Sequence, residues 1–163
     1  MISIRPAAEA DHAAILAIVA PVLAAGETYA IDRDLDAAAV AAYWFMPAHE
    51  VFAAEIEGQI VGTYYIQANQ RGGGAHVANC GYMTAPEARG MGVAKAMCLH
   101  SLARAKERGF RAMQFNHVVS TNVGAVALWQ KLGFAIIGTL PEAFRHPVHG
   151  FVNSYVMFRS LEN

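Results

Sequence analysis

The sequence predicts a single α/β domain with a mixed sheet, covering residues 1–163. Segments of alternating hydrophobicity and segments of helical spacing follow one another in the order β-α-α-β-β-β-α-β-α-β-β. Hydrophobic residues make up 55% of the chain and charged residues 15%, which is typical of a well-packed globule. Neither a repeat nor a linker divides the 163 residues, a length that suits one domain.

Boundary signals define the elements of the first half. Pro6 ends a short alternating segment, and the acidic Glu9 and Asp11 precede an apolar helix where a signal peptide would need basic residues. Glu57-Gly58 between two alternating segments is a hairpin signature. The predicted elements are a strand at 2–6, a helix from about residue 9, a loop at 26–33, a helix after residue 34 and strands at 50–56 and 59–67.

The second half alternates strands and helices. Gly109 and Gly133 close two helices, and Gly81 inside a strand indicates a bulge or a close approach of another backbone. The predicted elements are strands at 77–84, 111–118, 134–140 and 151–159, helices at 92–108 and 122–132, and a loop at 141–150.

Charge and cysteine content exclude several classes of function. A net charge of −1 without a basic block argues against nucleic acid or a membrane surface as partner. Two cysteines, Cys80 and Cys98, favour core positions in a reducing, cytoplasmic setting. His146 and His149 lack a neighbouring cysteine or carboxylate cluster, so we expect no metal site.

The most informative stretch is a glycine turn between a strand and a helix. Gly90 and Gly92 leave backbone N–H groups uncovered at the helix start, where the helix dipole favours a diphosphate, and Arg89 adds charge. The pattern is not a P-loop, because GxxxxGK[ST] is absent, and it is not a dinucleotide fingerprint, because Lys95 stands where the third glycine or alanine belongs. Taken alone, the glycine pair also fits a simple tight turn.

Two motifs together resemble the GNAT superfamily of N-acetyltransferases. Arg89-Gly-Met-Gly92-Val-Ala94 is similar to the family signature [RQ]-x-x-G-x-[GA], and the stretch from Asn122 to Phe134 is similar to its later N-x-x-A-x-x-L-Y-x-K-x-G-F helix. The resemblance implies a GNAT-like splayed sheet of about seven strands flanked by about four helices. It also implies acetyl-CoA as cosubstrate, a small-molecule amine as acceptor and no metal.

The resemblance assigns residues to the cosubstrate. Its diphosphate would lie on the amides of Gly90, Gly92, Val93 and Ala94 beside Arg89, and its pantetheine would pair with the strand at Tyr82, Met83 and Thr84. Asn122 would contact the pantetheine or serve as a helix N-cap, two roles that do not exclude each other.

The chain departs from the family at the catalytic groups. Trp129 stands where many relatives carry a tyrosine acid, and the strand 77–84 lacks the usual carboxylate base. Tyr82 and Tyr155 are alternative acids. His117 has suitable chemistry for a base, but strand alternation predicts that it faces away from Asn116.

Three asparagines resemble one branch of the family in particular. Asn79, Asn116 and Asn122, together with the segments FNHVVSTN (115–122) and LWQKLGF (128–134), are similar to the L-azetidine-2-carboxylate N-acetyltransferases, which detoxify proline analogues. The resemblance implies that Asn79 and Asn116 are catalytic and bind substrate, and that Tyr29 lines the acceptor site. The other interpretation is that two buried amides satisfy backbone groups where the sheet splays.

Three functions stay open on the sequence. We expect acetylation of a small amino or imino acid, and the alternatives are an N-terminal acetyltransferase of peptides or proteins and a non-catalytic acyl-CoA sensor. A homodimer is compatible with the sequence, which does not determine the oligomeric state.

Overall fold

A computed structural model describes residues 1–162 as a seven-stranded mixed sheet with helices on both faces. The strands are β1 Ile2–Pro6, β2 Glu50–Ile56, β3 Gln59–Ala68, β4 Val77–Thr84, β5 Ala112–Val119, β6 Ala135–His146 and β7 Gly150–Ser160. The helices are α1 His12–Ala25, α2 Ala37–Trp44, α3 Val93–Glu107 and α4 Val123–Lys131. The predicted mixed sheet of seven strands and four helices is confirmed. Within residues 1–162, no helix is both long and apolar enough to cross a membrane.

The strands lie in the order β1-β2-β3-β4-β5-β7-β6, and β4 and β5 form its parallel pair. Each face of the sheet buries its own apolar layer. Because successive strand residues point to opposite faces, Tyr64 packs in the layer under α3 and α4, while Tyr65 packs in the layer under α1 and α2. The hairpin between β2 and β3 turns at Glu57 and Gly58, both with positive φ, as the sequence predicts.

The two central strands separate after only two residue pairs. β4 pairs with β5 at Val77–Ala112 and Ala78–Met113. Directly beyond them, the Asn79 side chain donates a hydrogen bond to the Gln114 carbonyl at 3.0 Å. Past this point β4 continues beside β3 alone, so that the sheet opens between β4 and β5.

Gly81 serves a close side-chain approach rather than a bulge. β4 pairs with β3 in unbroken register from Thr84 to Ala78. This pair of strands therefore has no bulge at Gly81, and the predicted bulge is wrong here. The residue opposite Gly81 is Tyr65, and a Cβ at position 81 would lie 2.6 Å from Cε1 of its ring. Glycine is therefore required where the Tyr65 ring crosses β4.

The predicted loop at 141–150 is wrong, because β6 runs to His146 and β7 begins at Gly150. A register shift between Leu140 and Phe144 interrupts the alternation that would have revealed the longer strand. His146 Nδ1 accepts hydrogen bonds from the N–H groups of Val148 and His149 and so closes the turn. Among residues 1–162 there is no cluster of three or more His, Cys, Asp or Glu side chains placed to hold a metal ion.

Replacing Gly81 by alanine tests the contact with Tyr65. We expect Gly81→Ala to lower the free energy of unfolding by about 1–3 kcal/mol, because the added methyl displaces a buried ring. Urea denaturation measures this. Gly138→Ala is the matched control on a strand, since a Cβ there meets open space, and it should stay within about 0.5 kcal/mol of the wild type. Equal stability of the two variants would contradict the role of Gly81.

Candidate active site

A groove of about 980 Å³ occupies the opening between β4 and β5. It extends from the start of α3 to the loop that joins α1 and α2. All the residues that the resemblance assigned to the cosubstrate or the acceptor line it, namely Tyr29, Asn79, Tyr82, Met83, Thr84, Arg89, Gly90, Gly92, Val93, Ala94, Asn116 and Asn122.

One end of the groove is built from backbone. Gly90 and Gly92 adopt the left-handed region, with φ of 79° and 84°, and both are exposed. Gly92 occupies the N-cap position of α3, and no side chain caps this helix. The first N–H groups of the helix therefore face the groove together with the positive end of the helix dipole. Arg89 and Lys95 add positive charge to the same surface.

The middle of the groove is the free edge of β4. Tyr82, Met83 and Thr84 line it, where β5 no longer pairs with the strand. The hydroxyl of Tyr29, from the α1–α2 loop, donates a hydrogen bond to the Tyr82 carbonyl at 3.0 Å. This bond fixes the loop over the strand edge.

Asn122 occupies the N-cap position of α4, as one interpretation of the sequence expects. Its side chain makes no capping hydrogen bond, however. The amide of Asn122 lines the groove instead, so that it is available to a ligand.

The other two asparagines differ in their surroundings. Asn79 is half-buried, and its amide bridges to Gln114 at the point where the strands separate. Asn116 is exposed, so the expectation of two buried amides is wrong at this position. The Asn116 amide donates to Asn69 Oδ1 at 2.6 Å, and its oxygen accepts from Gln114 Nε2 at 3.0 Å.

His117 lies on the groove side of β5, contrary to the alternation argument. Phe115 pairs with Met157 and Val118 with Tyr155, so one extra residue is inserted in β5 and turns His117 to the same side as Asn116. The His117 ring packs edge-on against Phe144, and its Nδ1 is buried without a hydrogen-bond partner in the described chain.

The far end of the groove is a chamber walled by Tyr29, Tyr43 and Tyr65, which we call the tyrosine chamber. Burial raises the pKa of each of these three hydroxyls above the ordinary value of a tyrosine, so all three stay neutral near pH 7. The sequence did not reveal Tyr43 and Tyr65 as site residues. Only the pairing of Tyr65 with Gly81, which lies on another strand, brings its ring to the groove.

The structure places no tyrosine acid at the later motif. Trp129 lines the groove and packs against the rings of Tyr82 and Phe115. The Tyr82 hydroxyl hydrogen-bonds to Ser101 Oγ at 2.7 Å under α3, and burial raises its pKa well above the ordinary value. Tyr82 is thus poorly suited to donate a proton, and Tyr155 lies outside the residues that line the groove. Glu27 is the carboxylate among the lining residues.

The two cysteines provide a direct test of burial at the site. Cys80 lines the groove yet is buried, as is Cys98, and burial raises the pKa of each thiol to about 12. Because the thiolate is the reactive form, we expect neither to react rapidly with a disulfide reagent at pH 8, and two thiols to react after denaturation. If one thiol per chain reacted rapidly in the native protein, and this rapid reaction were lost in Cys80→Ser, position 80 would be accessible from the groove.

Comparisons with known proteins agree with this geometry. The family pattern described as the acetyltransferase (GNAT) family matches residues 22–134. N-acetyltransferase aca1 of Schizosaccharomyces pombe is 32% identical over 123 residues, which cover 72% of this chain and 59% of that protein. This chain therefore spans somewhat more than half the length of that curated relative.

Solved structures show the same fold. A GCN5-related N-acetyltransferase from Kribbella flavida superposes with a TM-score of 0.92 at 44% identity, covering 98% of this chain and 97% of the other. YncA of Salmonella typhimurium, solved with its cofactor acetyl-CoA, has a TM-score of 0.86 at 20% identity, covering 100% and 95%. With a family match over more than half its length and both sequence motifs on one groove, the chain belongs to the acetyltransferase (GNAT) family.

Proposed function

We propose that the protein transfers the acetyl group of acetyl-CoA to the amine of a small amino or imino acid, such as the proline analogue L-azetidine-2-carboxylate. The observation that carries this proposal is the single groove that joins the glycine turn at Gly90 and Gly92 to the tyrosine chamber. A donor and an acceptor bound at its two ends would meet at the edge of β4. Such a reaction would detoxify amino acid analogues in the cytoplasm.

The glycine turn suits the diphosphate of coenzyme A. Left-handed Gly90 and Gly92 bring backbone N–H groups to the surface without side chains above them, and nothing lies within 4 Å of either Cβ position. Arg89 supplies a guanidinium that can pair with phosphate oxygens. The acetyl-CoA in the related Salmonella structure supports the same occupant.

The edge of β4 suits the pantetheine arm. An extended amide chain can hydrogen-bond to a free strand edge as an added strand does. β4 offers such an edge from Asn79 to Thr84, where β5 has separated. This would place the thioester near Asn79, beside the tyrosine chamber.

At that position the amine nitrogen attacks the thioester carbonyl carbon, the C–N bond forms, and the C–S bond breaks as the thiolate leaves. The amine also loses a proton. With Trp129 in place of tyrosine and Tyr82 held under α3, the thiolate leaves without a tyrosine acid and takes its proton from solvent. Glu27, at the rim of the groove, is the group that can accept the amine proton as a carboxylate.

The tyrosine chamber supports a small acceptor. Its walls are aromatic rings, and its polar groups are neutral hydroxyls and amides, which favour the neutral, nucleophilic form of a buried amine. Asn116 offers an exposed amide at its border. Amides can orient both an amine and a carboxylate.

A substitution at Gly92 tests the diphosphate site. We expect Gly92→Val to weaken acetyl-CoA binding at least about 10-fold, because a branched side chain would occupy the phosphate position and is strained at positive φ. Isothermal titration with acetyl-CoA measures this. Gly73→Ala, at an exposed glycine with open space around it, is the control and should bind normally. Unchanged affinity in Gly92→Val would remove the proposed site.

A substitution at Asn116 tests the acceptor side. We expect Asn116→Ala to lower kcat about 10- to 100-fold while acetyl-CoA affinity changes less than about twofold, because the amide acts on the acceptor. Asn69→Ala is the matched control, since it breaks the same Asn116–Asn69 bond from the other end. If Asn69→Ala lowers kcat equally, Asn116 is structural.

The identity of the acceptor is tested by thiol release from acetyl-CoA over a panel of amines. The panel contains L-azetidine-2-carboxylate, other proline analogues, common amino acids and short peptides. Preference for free amino or imino acids supports the proposal. Preference for peptides identifies an N-terminal acetyltransferase, and acetyl-CoA binding without turnover on any amine identifies an acyl-CoA sensor.

A further inference from the structure

His117 is the histidine among the residues that line the groove. The inserted residue in β5 turns its side chain to this side, where it is half-buried. Its Nδ1 is enclosed and has no hydrogen-bond partner within residues 1–162. Its Nε2, which makes no hydrogen bond to these residues either, is not an enclosed atom. The imidazole therefore presents Nε2 to the groove and keeps Nδ1 inside the protein.

A second enclosed polar atom lies on the neighbouring strand. Ser154 of β7 is completely buried, and its Oγ has no hydrogen-bond partner among the described residues. Buried polar atoms are nearly always hydrogen-bonded, because an unpaired one costs free energy. In the part of the chain that the structure describes, His117 Nδ1 and Ser154 Oγ are the two side-chain atoms that break this rule. Two exceptions on adjacent strands require a common explanation.

The strand registers bring these two atoms together. The insertion in β5 places His117 opposite Val156 of β7, and on the other side of β7 Phe144 pairs with Val152. Ser154 lies midway between Val152 and Val156 and shares their face, because alternate residues of a strand point the same way. The centres of the His117 and Phe144 rings are 5.9 Å apart, so the rings meet over Ser154. The two rings thus enclose the Ser154 hydroxyl together with Nδ1.

Ser154 can determine which nitrogen of His117 carries the proton. A neutral imidazole has one N–H group and one nitrogen with a free lone pair, and the hydrogen bond made by the first sets the role of the second. When Nδ1–H donates to Ser154 Oγ, directly or through one enclosed water, Nε2 keeps its lone pair in the groove. A nitrogen of this kind can accept a proton, and the resulting imidazolium keeps its hydrogen bond to the serine.

We propose that His117 is a catalytic residue whose Nε2 accepts the proton released as the C–N bond forms, and that Ser154 is the positioning residue that holds its Nδ1–H tautomer. The inference rests on the proposed function and deepens it. An acceptor that enters as an ammonium loses two protons. The first leaves before the attack, and Glu27 at the rim can accept it. The second leaves as the nitrogen bonds to the acyl carbon. The electron pair of that N–H bond stays on the nitrogen, while the proton passes to Nε2 and then through the groove to solvent.

Nuclear magnetic resonance tests the tautomer without any reaction. A long-range proton–nitrogen correlation spectrum of the histidine-labelled protein, at mildly alkaline pH where imidazoles are neutral, shows which nitrogen of each ring carries a proton. His117→Asn identifies the signals of His117. We expect Nδ1–H in the wild type, Nε2–H in Ser154→Ala, and Nδ1–H again in Ser154→Thr, which keeps a hydroxyl. An Nε2–H ring in the wild type overturns the inference, and so does an unchanged tautomer in Ser154→Ala.

Turnover tests the role of the free nitrogen. With an amine that the wild type acetylates, we expect His117→Asn to lower kcat about 100-fold, as loss of a general base does, and Ser154→Ala to lower it about 10-fold, because some rings still adopt the productive tautomer. KM for acetyl-CoA should change less than about twofold in both, and Ser154→Thr should recover kcat. Ser160→Ala is the matched control, since Ser160 is an exposed serine of the same strand, and its kcat should equal that of the wild type.

The two measurements keep this inference distinct from the proposed function. A tautomer that depends on Ser154 supports the pair even if no amine is acetylated, a result that would contradict only the acetyltransferase reaction. Unchanged kcat in His117→Asn overturns the role of His117 and leaves the acetyltransferase intact. An equal loss of kcat in Ser160→Ala, or a loss in Ser154→Ala that Ser154→Thr does not recover, overturns the role of Ser154.

Discussion

The separation of β4 from β5 is the constraint on which the rest of the site depends. A parallel pair normally continues as long as both strands do, because every unpaired backbone group in the interior costs free energy. Here it ends after two residue pairs, and the Asn79 amide takes the Gln114 carbonyl that the next ladder bond would have satisfied. The side chain thus stabilises the end of the ladder, and the free edge of β4 becomes a binding surface rather than a defect.

An open sheet needs support from both faces, and the two apolar layers provide it differently. On the α3 side, the Tyr82 hydroxyl bonds to Ser101, which ties β4 to the helix that carries the glycine turn. On the other side, Trp44 of α2 donates to Thr63 Oγ1, and Thr63 in turn donates to the Phe52 carbonyl. These buried bonds hold the helices at fixed positions over the sheet, so that the groove between β4 and β5 keeps its width.

Features that depend on local sequence were predictable. The Glu57-Gly58 turn, the glycines at 90 and 92 and the elements of the mixed sheet each follow from residues close together in the chain. Features that depend on strand register were not. The Tyr65–Gly81 contact joins two strands, and the extra residue in β5 that redirects His117 is visible only against its partner β7. The β6–β7 hairpin was missed for the same reason, since its register shift hides the alternation.

The two ends of the groove differ in how far the sequence predicts them, because they are built differently. The coenzyme end consists of main-chain donors at the start of one helix, so a short motif is sufficient to specify it. The acceptor end takes single side chains from the α1–α2 loop, α2, β3 and β5. No contiguous motif can encode a surface collected from four elements. Each of these positions can change while the sheet and the glycine turn stay intact, so acceptor choice can diverge within one fold without loss of the donor site.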